Sequence, residues 1–109
     1  MELKTNYQPA KRRVSIETEY NDFIFTTSLQ GFMNFEKITG KDFLAIVSEI
    51  DTDNLKIVDL VNILYAFSIT EDDFETFCEK IEISEMQEVL KALLPYLVKL
   101  DVTEEAKKK

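Results

Sequence analysis

Alternating apolar and polar residues near the N-terminus predict a β-hairpin. Apolar or β-branched residues occupy every second position of the first run: Val14, Ile16, Thr18 and Tyr20. Residues 23–27 form a second run that is entirely aromatic or β-branched. Asn21 and Asp22 lie between the runs and suit a tight turn, because both tolerate left-handed backbone. An isolated hairpin is marginally stable, so we expect its apolar face to pack on helices.

The pattern then changes to a helical period. Ser28 suits the N-cap of a helix over residues 28–39, and Gly40 suits its left-handed C-terminal end. Residues 42–50 place apolar side chains at helical spacing and predict a short second helix. Residues 55–69 are almost continuously apolar and predict a central, mostly buried helix. Three of its few polar residues fall on one narrow strip: Lys56, Asp59 and Asn62.

Two further helix starts are predicted from capping boxes. In each, a capping hydroxyl is followed three residues later by a side chain that can bond to the backbone N–H of the cap residue. Thr70 with Asp73 marks one start, and Ser84 with Gln87 marks the other. The final helix is predicted from about residue 85 to residue 100, with Pro95 opposite its apolar stripe of Met86, Leu90, Leu93 and Leu97. The predicted fold class is α+β, predominantly α-helical, with a small N-terminal β-hairpin packed on about five helices.

Length and charge define the expected domain organisation. A chain of 109 residues is typical of one domain. Residues 1–13 carry a net charge of +3 and no stable period, and are interpreted as a flexible basic arm. Residues 14–101 are interpreted as a single helical domain with its N-terminal hairpin, and residues 102–109 as a disordered tail.

The residue types argue against catalysis and cofactors. The chain has no His and only two Gly, so an imidazole base and a Gly-rich phosphate loop are both excluded. An EF-hand starting at Asp51 would need Gly at its sixth position and Glu at its twelfth, where the chain has Lys56 and Asn62. Cys78 lies on the predicted apolar stripe of its helix and is interpreted as a core residue. We therefore expect no enzyme, no metal and no cofactor.

Charge and hydropathy also limit the partners. The net charge of -8 would repel a phosphate backbone, which argues against nucleic acid. No run of 18 uncharged apolar residues is present, so no membrane span is expected, and the cytoplasm is the expected compartment. The chain is expected to act by binding other proteins.

Four residues are candidates for partner binding: Glu36, Leu94, Tyr96 and Val98. Helical projection places Glu36 inside an apolar arc, where it either extends to the rim or makes a buried polar contact. The other three add apolar surface on both flanks of the final helix. Such a surplus indicates either deep packing or an interface with a partner or a second copy.

Two segments resemble the tail assembly chaperones of long-tailed, siphovirus-type phages and prophages: residues 32–43, FMNFEKITGKDF, and residues 59–67, DLVNILYAF. The resemblance covers roughly residues 14–100. It implies a non-enzymatic chaperone that binds the phage tape-measure protein, and possibly the tail-tube protein, during tube assembly. It also implies a location in the cytoplasm of the host bacterium and absence from the mature virion. In such families a longer form often arises by ribosomal frameshifting, and Lys107, Lys108 and Lys109 are compatible with a slippery adenine-rich stretch or with a solubilising tail.

Two other binding roles remain open from the residues. One is a small acidic helical adaptor of the bacterial cytoplasm. The other is an acidic inhibitor that mimics nucleic acid, which would need carboxylates at phosphate-like spacing along one face. In this chain the acidic residues are spread over most predicted elements, which disfavours the mimic.

Overall fold

The computed structural model describes residues 3–98, and its N-terminal part is a three-stranded antiparallel sheet. The strands are β1 (Lys4–Gln8), β2 (Arg13–Glu17) and β3 (Asp22–Thr26), in that spatial order. Val14 lies opposite Phe25, and Ile16 lies opposite Phe23. All four side chains are buried on one face of the sheet, as the alternation predicted.

The interpretation of residues 1–13 as a flexible arm was wrong for the part that the structure describes. Strand β1 pairs with β2 over its whole length, and its Tyr7 lies opposite Val14 on the partly buried face. A single 3-10 turn, Pro9–Lys11, connects the two strands. The mostly polar composition of β1 is normal for an edge strand, because one face and one edge remain in solvent. Periodicity alone therefore could not distinguish β1 from a loop.

The hairpin between β2 and β3 is confirmed, but its turn differs from the predicted one. Glu17 pairs with Asp22, so the connection has four residues rather than a turn centred on Asn21 and Asp22. The backbone N–H of Thr18 donates to the carbonyl of Asn21 at 2.8 Å. The Thr18 hydroxyl oxygen also accepts from the backbone N–H of Tyr20 and Asn21. A side chain thus organises the turn.

Within residues 3–98 five α-helices follow the sheet, which confirms the predicted α+β, helix-dominated fold class. They are α1 (Leu29–Thr39), α2 (Phe43–Ile46), α3 (Ile57–Phe67), α4 (Phe74–Lys80) and α5 (Ile83–Leu97). A 3-10 turn, Val47–Glu49, continues the chain after α2. No helix within residues 3–98 is long and apolar enough to cross a membrane.

The helices begin and end near the predicted residues, but several of the capping side chains differ from those predicted. Gly40 ends α1 with φ of 75° and donates its N–H to the carbonyl of Glu36, as predicted. Ser28 occupies the N-cap of α1, but its hydroxyl pairs with that of Thr26 instead of capping the helix. The two predicted hydroxyl caps at Thr70 and Ser84 were wrong.

Acidic side chains take the place of those hydroxyl caps. Asp73 caps α4 by accepting from the N–H of Thr76. Glu82 and Glu85 form the reciprocal capping box of α5. The cap of α4 therefore lies three residues after Thr70, and the cap of α5 lies two residues before Ser84.

Helix α3 is the central helix, as predicted, and packs against α1, α4 and α5. It contributes six buried residues: Leu60, Val61, Ile63, Leu64, Ala66 and Phe67. The ring of Phe67 contacts those of Phe32 and Phe43 at centroid distances of 5.1 and 5.2 Å. Gly31 of α1 lies directly against this ring, so α1 and α3 approach closely.

Helix α5 covers the sheet by packing on β2. Its predicted stripe is confirmed, because Met86, Leu90, Leu93 and Leu97 are all buried. Pro95 is exposed within the helix and does not end it. The predicted continuation of the helix to residue 100, the domain boundary at residue 101 and the tail at 102–109 lie outside the described residues.

Candidate functional site

The residues proposed from sequence for partner binding do not form one surface. Glu36 is exposed on α1, so the hypothesis that it makes a buried polar contact was wrong. Leu94, Tyr96 and Val98 are partly buried and pack against the core. The ring of Tyr96 lies 4.7 Å from that of Tyr7 on β1, the strand that sequence reasoning missed. Part of the apolar surplus of α5 is therefore covered within the chain, and the partner role of these four residues stays a prediction.

Among the carboxylates of residues 3–98, Glu85 is the one that is buried, and the sequence did not single it out. Its side chain is 0% exposed. One oxygen accepts from the Thr18 hydroxyl at 2.5 Å. The other accepts from Asn21 Nδ2 at 2.7 Å and from the backbone N–H of Glu82 at 2.9 Å.

These contacts give Glu85 a structural role. They join the turn between β2 and β3 to the start of α5, which are 67 residues apart in sequence. Burial of this carboxylate is tolerable because both of its oxygens accept hydrogen bonds from neighbouring donors. The available signal was the spacing of Glu82 and Glu85, which matches a capping box with Glu as the cap.

Cys78 lies on the exposed side of α4, so its interpretation as a core residue was wrong. The apolar stripe of α4 is carried instead by Phe77 and by Ile81, which follows the helix. Desolvation raises the pKa of the Cys78 thiol, and the negative charges of Glu75 and Glu79 raise it further. A thiol whose pKa is raised is a weak nucleophile at neutral pH.

The acidic segments form turns and caps. Asp51 accepts hydrogen bonds from the backbone N–H of Asp53 and from Asn54 Nδ2, which closes the loop before α3. Asp72 pairs with Lys80 at 3.0 Å. Within residues 3–98 no group of three or more Cys, Asp or Glu side chains is arranged to hold a metal ion.

Large apolar side chains are exposed mainly around the first three helices. Those on or beside α1, α2 and the start of α3 are Leu29, Met33, Ile38, Leu44, Ile57 and Val58. Leu29 is 68% exposed, Ile57 59% and Val58 55%. Six of the eleven large apolar side chains that are exposed within residues 3–98 belong to these elements. Exposed side chains of this size are candidates for contact with a partner.

Two concave regions border these helices. The first is an open cleft of about 310 Å³ between α1 and residues 65–70, with polar walls that include Asn34 and Lys37. The second, which we name the α1–α3 groove, has a volume of about 230 Å³. Its apolar lining is Phe35, Ile46, Ile50, Leu55 and Ile63, and its polar lining is Thr39, Lys41, Asp59 and Asn62.

The groove is the stronger candidate site because its chemistry is that of a protein contact. Phe35 and Ile63 are buried and form its apolar floor, whereas Asp59 and Asn62 are partly exposed. Asp59 and Asn62 belong to the polar strip that the sequence predicted on α3. An apolar depression with a few polar groups is typical of a recognition site.

Comparisons with known proteins do not assign a family. No protein-family model, curated protein or solved structure matches this chain significantly.

Proposed function

We propose that this chain is a non-enzymatic phage tail assembly chaperone that binds the tape-measure protein, and possibly the tail-tube protein, in the cytoplasm of the host bacterium. The observation that carries the proposal is the exposed apolar surface on α1, α2 and the start of α3. A chaperone of this kind needs accessible apolar side chains to cover those of an unassembled partner.

The two resembling segments support the proposal by their place in the fold. Residues 32–43 span most of α1 and the start of α2, and residues 59–67 form most of α3. These are the elements that carry the exposed apolar side chains and enclose the α1–α3 groove. Sequence resemblance and surface chemistry thus indicate the same part of the molecule.

The net charge of -8 fits the same role. A strongly charged carrier keeps a complex with an apolar partner soluble through repulsion between complexes. The same charge disfavours binding to nucleic acid and to anionic membranes.

The test is co-expression with the tape-measure protein encoded in the same genome, followed by size-exclusion chromatography with light scattering. We expect the long protein to become soluble and to elute with this chain. A matched pair of variants locates the contact: Met33→Lys changes the exposed apolar surface of α1, whereas Gln30→Lys adds the same charge at an exposed polar position of that helix. Met33→Lys should reduce co-elution and Gln30→Lys should not.

Absence of any complex, with the tape-measure protein whole or in fragments, would contradict the chaperone role. The remaining candidate would then be a small acidic helical adaptor or inhibitor. If both variants bound normally, the contact would lie away from α1.

A further inference from the structure

The size of the α1–α3 groove indicates what kind of group it accepts. Sites for small molecules usually exceed about 300 Å³. The groove, at about 230 Å³, is smaller and suits one or two large apolar side chains. Its half-buried walls, Ile46, Ile50 and Leu55, already pack against the core from the side. An inserted apolar side chain would complete that packing.

Asp59 and Asn62, two of the polar residues that line the groove, are free to bind a partner, whereas Thr39 bonds to the backbone around the end of α1. The side chains of Asp59 and Asn62 make no hydrogen bond or ion pair with any residue between 3 and 98. Val58 precedes Asn62 by four residues on α3, so the two share a helix face, and Val58 is exposed. The mouth therefore offers an acceptor, an amide and an apolar contact side by side.

The charge around the groove favours a basic partner. The charged residues of the groove lining itself, Lys41 and Asp59, balance each other. The segment that forms most of its walls, residues 41–62, contains five carboxylates and two lysines and carries a net charge of -3. Lys91 of α5 pairs with Asp53 at 3.0 Å, so a surplus of two negative charges remains. This surplus attracts cations and repels phosphates and anionic lipids.

The secondary structure around the groove determines the form of the partner. The groove is enclosed by α1, α2, its following turn and α3, and no strand edge of residues 3–98 borders it. An extended segment bound here would leave its backbone N–H and C=O groups without partners from a sheet. A helix satisfies its own backbone and needs only side-chain contacts.

We infer that the α1–α3 groove binds an amphipathic basic helix of a partner protein, which inserts a large apolar side chain and pairs a Lys or Arg with Asp59. Asn62 hydrogen bonds to a polar group on the flank of that helix. This inference depends on the proposed protein-binding function and specifies the partner's chemistry. In that setting the bound segment belongs to the tape-measure protein.

The test uses two synthetic helical peptides of about 16 residues, long enough to form helix. Both carry leucines at every third or fourth position in an alanine background. The basic peptide has lysines between the leucines, and the acidic peptide has glutamates there. Binding to the full chain is measured by fluorescence anisotropy and located by backbone amide NMR shifts. We expect the basic peptide to bind and to shift the amides of Ile50, Asp59 and Asn62.

Three variants decide whether Asp59 forms the contact. Asp59→Asn keeps the side-chain shape and should weaken binding of the basic peptide by about threefold to fivefold, as loss of a partly exposed charge pair does. Glu75→Gln on α4 removes the same charge away from the groove and should change binding less than about twofold. Asp59→Lys should reverse the preference toward the acidic peptide. Circular dichroism confirms that each variant is folded.

Several results would overturn the inference. These are equal effects of Asp59→Asn and Glu75→Gln, amide shifts confined to other surfaces, or a dimer in light scattering whose second copy occupies the groove.

Failure of the proposed function can be distinguished from failure of this inference. If this chain rescues the tape-measure protein equally well with Asp59→Asn, the function stands and the groove contact is refuted. If the basic peptide binds the groove but no tape-measure complex forms, the groove contact stands and the proposed function is refuted.

Discussion

Glu85 is the residue on which the stability of the domain should depend most strongly among the polar side chains. Replacing it with Ala removes the Glu85 acceptor from the Thr18 hydroxyl, the Asn21 amide and the Glu82 N–H. The Thr18 hydroxyl keeps a contact to the carbonyl of Asn21, and Asn21 Nδ2 keeps one to the carbonyl of Lys80. We expect a loss of about 2–4 kcal/mol in the free energy of unfolding, because buried donors to a charged acceptor lose their partner. Urea unfolding followed by circular dichroism measures it.

Glu85→Gln is the matched control for that substitution. It keeps the shape but places an amide donor against one of the existing donors, so we expect a smaller loss of about 1–2 kcal/mol. An unchanged unfolding midpoint for Glu85→Ala would contradict the role assigned to this carboxylate.

Cys78 gives a second prediction for a single residue. Because it is exposed, we expect iodoacetamide to alkylate it in the folded protein, as measured by mass spectrometry. The rate near pH 8 should be slower than that of a free thiol, since desolvation and then Glu75 and Glu79 raise its pKa. The double variant Glu75→Gln, Glu79→Gln should react faster, although the desolvation remains. Complete protection of native Cys78 would show that it is buried after all.

The glycine inside α1, Gly31, and the glycine that ends it, Gly40, should respond differently to substitution by Ala. A Cβ at Gly31 would lie 2.2 Å from a ring carbon of Phe67, so α1 and α3 would have to separate. We expect Gly31→Ala to cost about 2–4 kcal/mol even though Ala favours helix. At Gly40 no atom lies within 4 Å, but φ is 75°, so Gly40→Ala should cost about 1 kcal/mol. Thermal unfolding of both variants tests this order, and equal losses would contradict it.

The cap of α4 should make its stability depend on pH. Hydrogen bonds from the backbone and side chain of Thr76 hold the pKa of Asp73 below its ordinary value of 3.8. A carboxyl whose pKa is lowered on folding stabilises the fold fully above its unfolded pKa. That contribution disappears as the pH falls through the folded pKa. The stability difference between wild type and Asp73→Ala should therefore be constant above about pH 5 and shrink at lower pH. A difference that does not change with pH would show that the charge is irrelevant to the cap.

Elements with a strong apolar period could be predicted from the sequence. Elements and caps that depend on contacts with other parts of the chain could not. The hairpin, α1, α3 and α5 follow from apolar spacing, because burial on one face imposes that spacing. Strand β1 was missed because its stability comes from pairing with β2, which a local pattern does not record. The caps were displaced because Asp73 and Glu82 compete with nearby hydroxyls for the same role.

On the scale of the whole molecule, the sequence predicted the polar strip of the candidate site but not the site itself. Asp59 and Asn62 were recognised on the polar strip of α3, but their position at the mouth of a groove depends on how α1 and α2 pack beside them. For Glu36 the helical projection left a rim position and a buried contact open, because it gives an angle and not a neighbour, and the structure places the side chain in the exposed class. Long-range packing decided both cases.

The packing of α5 on β2 has a consequence for how the protein is made. The apolar face of the sheet is complete once β3 has left the ribosome, but the helix that covers β2 and holds Glu85 is synthesised more than fifty residues later. A nascent chain therefore keeps Val14 and Ile16 without this cover until α5 has been made. A fragment released before α5 would expose apolar surface of the sheet and would be prone to aggregate.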